Sequence, residues 1–244
     1  MLERLYPDRG TTTPAELVSG LDLASRAPAE RPYLVLNMVS TLDGKATLEW
    51  RTEGISSETD RELFHQLRAR VDAVMVVAGT ARTERYGRMV KRDDLREQRR
   101  AAGLDPDPLA VVVSATLDLP ADLPLLQEAE QRVLVATGSD ARLEGIGAQL
   151  EYFPSGEDLP VLMARLREMG VRSVLCEGGP TLNSHLLAAG LVDELFLSLS
   201  PKLVGGAAAL TIVAGRELVE PVELELVWAL AGDGDLFTRW RVKR

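Results

Sequence analysis

A single cysteine and two histidines in 244 residues exclude several kinds of chemistry at the outset. One thiol cannot close an internal disulfide, so Cys176 indicates a reducing compartment and reads as a small buried apolar side chain. Together with His65 and His185 it cannot assemble a His/Cys zinc cluster, and no metal site is expected. No apolar run approaches the ~20 residues of a membrane span, and no basic segment leading into an apolar one opens the chain. A cytoplasmic protein without membrane association is therefore expected. The formal charge is −9, from 28 Lys and Arg against 37 Asp and Glu, and nucleic-acid affinity rests on clustered cations, so nucleic acid is not an expected partner. Nor does a Gly-x-Gly-x-x-Gly sequence follow an early strand, which removes the usual dinucleotide fingerprint.

What is present is a run of strands alternating with helices. Residues 1–31 hold Pro7, Pro14 and Pro28, with Thr11 to Leu21 as the one helix-like stretch. They read as an arm laid over the body, which takes residues 32–244. Apolar, β-branched runs predict strands at Tyr33–Val39, Val74–Thr80, Leu109–Val113, Arg132–Ala136, the stretch ending at Cys176, and Val192–Leu199. Helical spacing places Leu63, Phe64, Leu67 and Val71 on one face, with His65 and Arg68 elsewhere, and Leu159, Leu162, Met163, Leu166 and Met169 on another. Asp93–Arg100 reads as a mixed-charge solvated helix. Val222–Leu230 and Leu236–Val242 flank Ala231-Gly-Asp-Gly-Asp235, a hairpin signal. The whole predicts an α/β fold: a mostly parallel central sheet, flanking helices and a C-terminal antiparallel hairpin.

The stretch Val171–Leu182 organises the reading. A strand stops at Gly178-Gly179 and a helix follows, with Pro180 suited to its first position. The glycines leave bare peptide groups, and the free N–H groups near Thr181 favour an anion such as phosphate. Glu177 stands at the strand exit. Hydroxyls recur at other exits, at Gly79-Thr80, Ser114-Ala-Thr116 and Thr137-Gly-Ser139, where open α/β sheets bind ligands. Convergence on one ligand is the economical interpretation, although strand-to-helix turns are rich in such residues anyway. Arg82, Arg85, Arg88, Lys91 and Arg92 face a single acid, Glu84, within their segment and form the local basic patch that the acidic chain otherwise lacks. Asn37, inside an apolar strand, needs a partner in the core or in a substrate.

Asn37–Lys45, Gly79-Thr80-Ala-Arg-Thr83 and Cys176-Glu-Gly-Gly-Pro-Thr-Leu182, then Asp193-Glu-Leu and Pro201-Lys-Leu-Val-Gly-Gly206, resemble the reductase domain of riboflavin biosynthesis. That resemblance implies a dihydrofolate reductase-like fold, a homodimer, and NADPH-dependent reduction of the ribose of 5-amino-6-(5-phosphoribosylamino)uracil or a closely related phosphorylated pyrimidine. The chain lacks the zinc deaminase signature of bifunctional members, so a stand-alone reductase is expected. By resemblance the cofactor contacts fall on Thr80, Glu84 and Gly179 through His185, including Pro180, Thr181 and Leu182. Arg82, Thr83, Thr137 and Gly178 join them, with Ser114 and Thr116 as candidates for a 2′-phosphate. The substrate contacts fall on Asn37, Thr52, Arg68, Arg88, Lys91 and Glu177. Asp43, Lys45 and Glu177 stand at the reacting centre, and the sequence does not choose which governs the proton. Thr83-Glu-Arg-Tyr86 and Gly54 depart from the family pattern, leaving dihydrofolate or pterin reduction, or a non-catalytic nucleotide-binding protein, as alternatives.

Overall fold

The computed structural model describes residues 1–154, 158–206 and 210–244. It divides into two compact units: Met1–Leu21, Leu34–Leu67 and Glu177–Arg244 form the first, Asp22–Tyr33 and Arg68–Cys176 the second.

The strands of the first unit are β1 (Leu2–Tyr6), β2 (Gly10–Thr12) and β3 (Tyr33–Thr41), then the later β9 (Glu194–Ser200), β10 (Leu224–Gly232) and β11 (Asp235–Val242). They lie in the order β2-β1-β10-β11-β9-β3. Only β9 and β3 run parallel; the others pair antiparallel. In β9 burial alternates strictly: Glu194, Phe196, Ser198 and Ser200 are buried, while Leu195, Leu197 and Leu199 are half-exposed. Period-two alternation is the mark of a strand covered on one face. The hairpin turns at Asp233 and Gly234 with φ of 52° and 86°, the left-handed pair of a two-residue turn that Asp-Gly accommodates. Across β9 and β11, Arg239 donates from Nε and Nη2 to the buried Glu194 carboxylate at 2.8 and 3.0 Å. Its guanidinium carbon lies 5.4 Å from the Phe196 ring centre.

The second unit holds β4 (Ala73–Val77), β5 (Leu109–Val113), β6 (Arg132–Ala136), β7 (Gln149–Phe153) and β8 (Ser173–Cys176) in the order β8-β4-β5-β6-β7, all parallel. Val74, Met75, Val76, Ala110, Val111 and Val112 are fully buried, which is why these strands read as unbroken apolar runs.

Helices α1 (Pro14–Ser19), α2 (Glu58–Arg68) and α7 (Pro180–Ala188) start in the first unit; α3 (Ala78–Thr83), α4 (Asp93–Ala101), α5 (Pro124–Gln127) and α6 (Leu159–Glu168) belong to the second. Gly170, with φ of 88°, closes the turn after α6 in a conformation other residues resist. Leu63 and Leu67 are buried as their spacing requires, but so is Arg68, at 6% exposure.

The N-terminal residues, read as an arm, contain two strands and a short helix. Glu3 pairs with Ala231 and Arg4 with Leu230, so β1 extends the antiparallel sheet, and α1 is confined to the residues after the Thr13 cap. Charged Leu-Glu-Arg-Leu-Tyr carries no period-two apolar signal because an outer strand needs few core residues. Leu2 is the one it buries, and it reaches Gly232 so closely that a Cβ there would meet Leu2 Cδ2 at 2.5 Å. Both outer edges of the hairpin are thus paired, β10 with β1 and β11 with β9.

Candidate active site

In the first unit, the loop after β3 is built around Thr41. Its hydroxyl donates to Asp43 Oδ1 at 2.5 Å and accepts from the Lys45 amide at 2.9 Å, while its own amide donates to the Lys45 carbonyl. Gly44 supplies the left-handed step at φ 81°. The Asp43 carboxylate then accepts from the amides of Val204 and Gly205, at 3.1 and 2.6 Å. The Thr41 hydroxyl, followed by the Gly205 amide, holds its carboxyl down to about 2. A carboxylate with that many donors stays ionised and cannot hand over a proton near neutrality. The loop is fixed again by Leu42 N–H to the Lys202 carbonyl at 3.0 Å and Ala46 N–H to the Leu210 carbonyl at 2.7 Å. Lys45 is half-buried, and its ammonium makes no ion pair or side-chain hydrogen bond among the described residues.

Asn37 sits opposite Phe196 on β3, on the same strand face as Thr41. Half-exposed, its side-chain amide has no hydrogen bond among the described residues. Thr52 is half-buried and its carbonyl accepts from Ile55 and Ser56, starting the turn into α2.

Glu177 is 7% exposed. Gly178 follows with φ 87°, joined to Gly179 by a cis peptide. A Cβ on Gly178 would meet Met38 Sδ at 3.5 Å and Asn183 Nδ2 at 3.8 Å, and the positive φ itself selects glycine. Gly179 caps α7 with Pro180 in the first turn. No side chain caps this N-terminus, so its leading N–H groups remain available to an anion. Thr181 is exposed and Leu182 buried. Asn183, fully buried, donates to the Ile212 carbonyl at 2.8 Å; it pins α7 to the loop beyond residue 210, a role the sequence reading did not assign. The Val204 and Gly205 amides, within the Pro201–Gly206 motif, brace Asp43 in the same way.

In the second unit, Val77, Val113 and Ala136 are in register across β4, β5 and β6. The residues just beyond them therefore share one carboxyl edge. Thr80 lies in the first turn of α3 rather than at a strand end, because the helix starts at Ala78. Thr83 is exposed and Glu84 caps α3. Ser114 is buried and its hydroxyl has no partner among the described residues, whereas Thr116 is exposed. The buried Thr137 hydroxyl accepts from the Ser139 amide at 3.1 Å.

The arginine-rich segment is not a free cationic patch. Arg82 pairs with Asp118, Arg88 with Asp107 at 2.9 Å and with Glu130, and Arg92 with Asp94 at 2.5 Å. Three of those acids come from far along the chain, which a count within the segment cannot see. Arg68 donates to the Met89 carbonyl at 3.1 Å, and its guanidinium lies 5.1 Å from the Tyr86 ring centre. Lys91 and Arg85 are exposed and unpaired among the described residues.

No metal-binding group of His, Cys, Asp or Glu occurs among the described residues, and no described helix is long and apolar enough to cross a membrane.

Among solved structures, a pyrimidine reductase-like protein of Corynebacterium diphtheriae superposes with a TM-score of 0.80 at 24% identity, covering 96% of this chain and 100% of that one. At that identity it shows the fold. Two reductases named for 2,5-diamino-6-ribosylamino-4(3H)-pyrimidinone 5′-phosphate are similar in sequence. The protein of Archaeoglobus fulgidus is 34% identical over 204 residues, 81% of this chain and 93% of the relative. That of Methanothermobacter thermautotrophicus is 33% identical over 221 residues, 87% and 99%. The family model of the RibD C-terminal domain matches residues 32–237, and the chain belongs to that family.

Proposed function

We propose that this chain is an NADPH-dependent reductase of riboflavin biosynthesis that converts the ribosylamino group of a phosphorylated pyrimidine to ribitylamino. Family membership carries this reading, and the names of the two relatives favour the 2,5-diaminopyrimidinone over its uracil counterpart as substrate. A ribosylamine opens to an imine at sugar C1. Reduction adds a hydride to that carbon and a proton to the nitrogen, breaking the C=N π bond; NADPH supplies the hydride and leaves as NADP⁺.

The residues of each unit suit such a cofactor. In the first, Gly178 through Leu182 offer bare peptide groups and an uncapped helix start, fit for a phosphate group. In the second, Thr80, Ser114, Thr116 and Thr137 offer hydroxyls at or near one strand edge, with Arg82, Thr83 and Glu84 beside Thr80. The hydroxyls favour a 2′-phosphate, so NADPH is expected to bind more tightly than NADH; calorimetric titration giving equal affinities would contradict it.

At the reacting centre Lys45 donates the proton to the imine nitrogen, because its ammonium is uncommitted while Asp43 is held ionised. Asp43 is the brace that fixes Lys45 through Thr41. Glu177 and Asn37 contact the substrate, and Thr52 and Arg68 support the loops around it. Lys91 holds the ribose phosphate in preference to Arg88, which would first have to leave Asp107 and Glu130.

The chain acts as a homodimer in this account. Register places Leu195, Leu197 and Leu199 beside Trp240, Thr238 and Leu236 on one sheet face, and the half-exposed leucines form an apolar surface of the sort buried between subunits. Light scattering reporting the 26.6 kDa monomer at assay concentrations would refute this.

The reading is tested by NADPH oxidation with the diaminopyrimidinone phosphate, the uracil counterpart and dihydrofolate. Turnover is expected to be greatest with the first. Turnover with dihydrofolate alone, or with none of the three, would overturn it.

A further inference from the structure

The second unit has a concavity at the end of its parallel sheet opposite Ser114 and Thr137. Asp72 precedes β4, Leu109 opens β5, Arg132 opens β6 and Val171 precedes β8, and all four line a crevice of about 120 Å³. Arg99, from α4, reaches into its wall although the residue is only 1% exposed. Its Nε donates to the Asp105 carbonyl at 2.7 Å, and its Nη1 to the carbonyls of Arg68 and Val71 at 3.1 and 2.7 Å. Those acceptors are neutral. Nη2 has no acceptor, and no carboxylate pairs with this guanidinium, among the described residues. Asp72, Asp107 and Asp105 act on it from beyond ion-pair distance, so a donor of this buried cation stays unmet, and a cavity beside it is where an anion would meet it.

We infer that this crevice is a binding site for a small carboxylate, held by Arg99 Nη2 and Arg132. The ligand class follows from the rest of the lining. The volume is too small for a nucleotide. Asp72 and Asp105 also face the space, and although Asp72 Oδ2 is occupied by the Arg172 and Ser173 amides and the Ser173 hydroxyl, two carboxylates repel a multiply charged anion such as phosphate. Leu104, Leu109 and Met169 supply apolar wall for a short aliphatic stem. Arg132 is free to turn toward the ligand: its side chain is 51% exposed and its contact with Asp105 is long, at 3.4 Å. Burial lowers the Arg99 pKa to about 10, which leaves it charged at neutral pH.

The test is titration of the protein with butyrate and with inorganic phosphate, followed by calorimetry or by saturation transfer to the butyrate protons. Butyrate is expected to bind saturably and more tightly than phosphate. Arg132→Ala should weaken it about tenfold or more, the loss of a charge-assisted hydrogen bond, and Leu104→Trp, filling the crevice from a half-exposed position, should abolish it. Both variants should keep the wild-type thermal transition within a few degrees. The inference is overturned if wild type binds no butyrate, if phosphate binds at least as tightly, or if both folded variants bind butyrate as wild type does.

Discussion

Two charged segments of similar promise in the sequence behave differently. Around Thr41–Lys45 a single carboxylate, Asp43, is satisfied by a hydroxyl and two backbone amides, and the neighbouring cation, Lys45, is left uncommitted. Along Arg82–Arg92 the carboxylates are satisfied by the cations themselves, and only Arg85 and Lys91 remain unpaired among the described residues. A charge is available for chemistry when something neutral occupies its nearest counter-ion. Density of like charge along the chain says little about this, since the partners arrive from elsewhere.

The largest effect is expected from Lys45→Met. If Lys45 delivers the proton, kcat should fall about 10²- to 10⁴-fold with NADPH affinity unchanged; a near-normal kcat in a folded variant would make the loop a scaffold only. Next comes the contrast between Lys91→Ala and Arg88→Ala. Lys91→Ala should raise KM about ten- to a hundredfold for the phosphorylated substrate and leave the dephosphorylated analogue alone. Arg88→Ala should instead cost about 1–3 kcal/mol of stability in denaturant titrations, by leaving the buried Asp107 carboxylate short of a donor. Equal KM effects in the two variants would return Arg88 to the substrate.

The smallest effect concerns carboxylates of the first unit whose pKa values are shifted in opposite directions. Burial raises the pKa of Asp60, and likewise of Asp235, whose Oδ2 is buried without a partner. A folded pKa above the unfolded value gives stability that is complete below the ordinary carboxylate range and is lost as pH rises through the raised values. Asp235→Asn should therefore raise Tm at neutral pH and by less at pH ~4. Asp43 works the other way: its stabilisation is present above the unfolded value and is lost as pH falls toward 2. A Tm that drops in Asp235→Asn at neutral pH would show that the carboxylate is satisfied in some other way.

Much of the fold was legible because its signals are local. Leu109–Val113 and Arg132–Ala136 are strands with the expected ends, since apolar β-branched runs between turn residues admit few other readings. Gly178, Gly170 and the Asp233-Gly234 turn follow from backbone angles that glycine tolerates. What was not legible depends on distance: β1 is defined by a partner more than two hundred residues away, and β7 is a half-exposed edge with little apolar contrast. The site divides in the same way. Glu177, Gly178 and the Thr41–Lys45 loop become candidates through their resemblance to the family's motifs, whereas the neutralising role of Asp107, Asp118 and Glu130, the burial of Arg68 and Arg99, and the task of Asn183 arise only once the chain is folded.

The central claim is hydride delivery to the sugar carbon of a phosphorylated ribosylaminopyrimidine. Its most direct test is incubation with the diaminopyrimidinone phosphate and NADPH deuterated at nicotinamide C4 on the transferable face, with the product examined by mass spectrometry and NMR. The account predicts a ribityl product carrying the deuterium at C1 of the former ribose, formed in step with NADP⁺. Deuterium on the pyrimidine ring, or cofactor oxidised without a ribityl product, would contradict it.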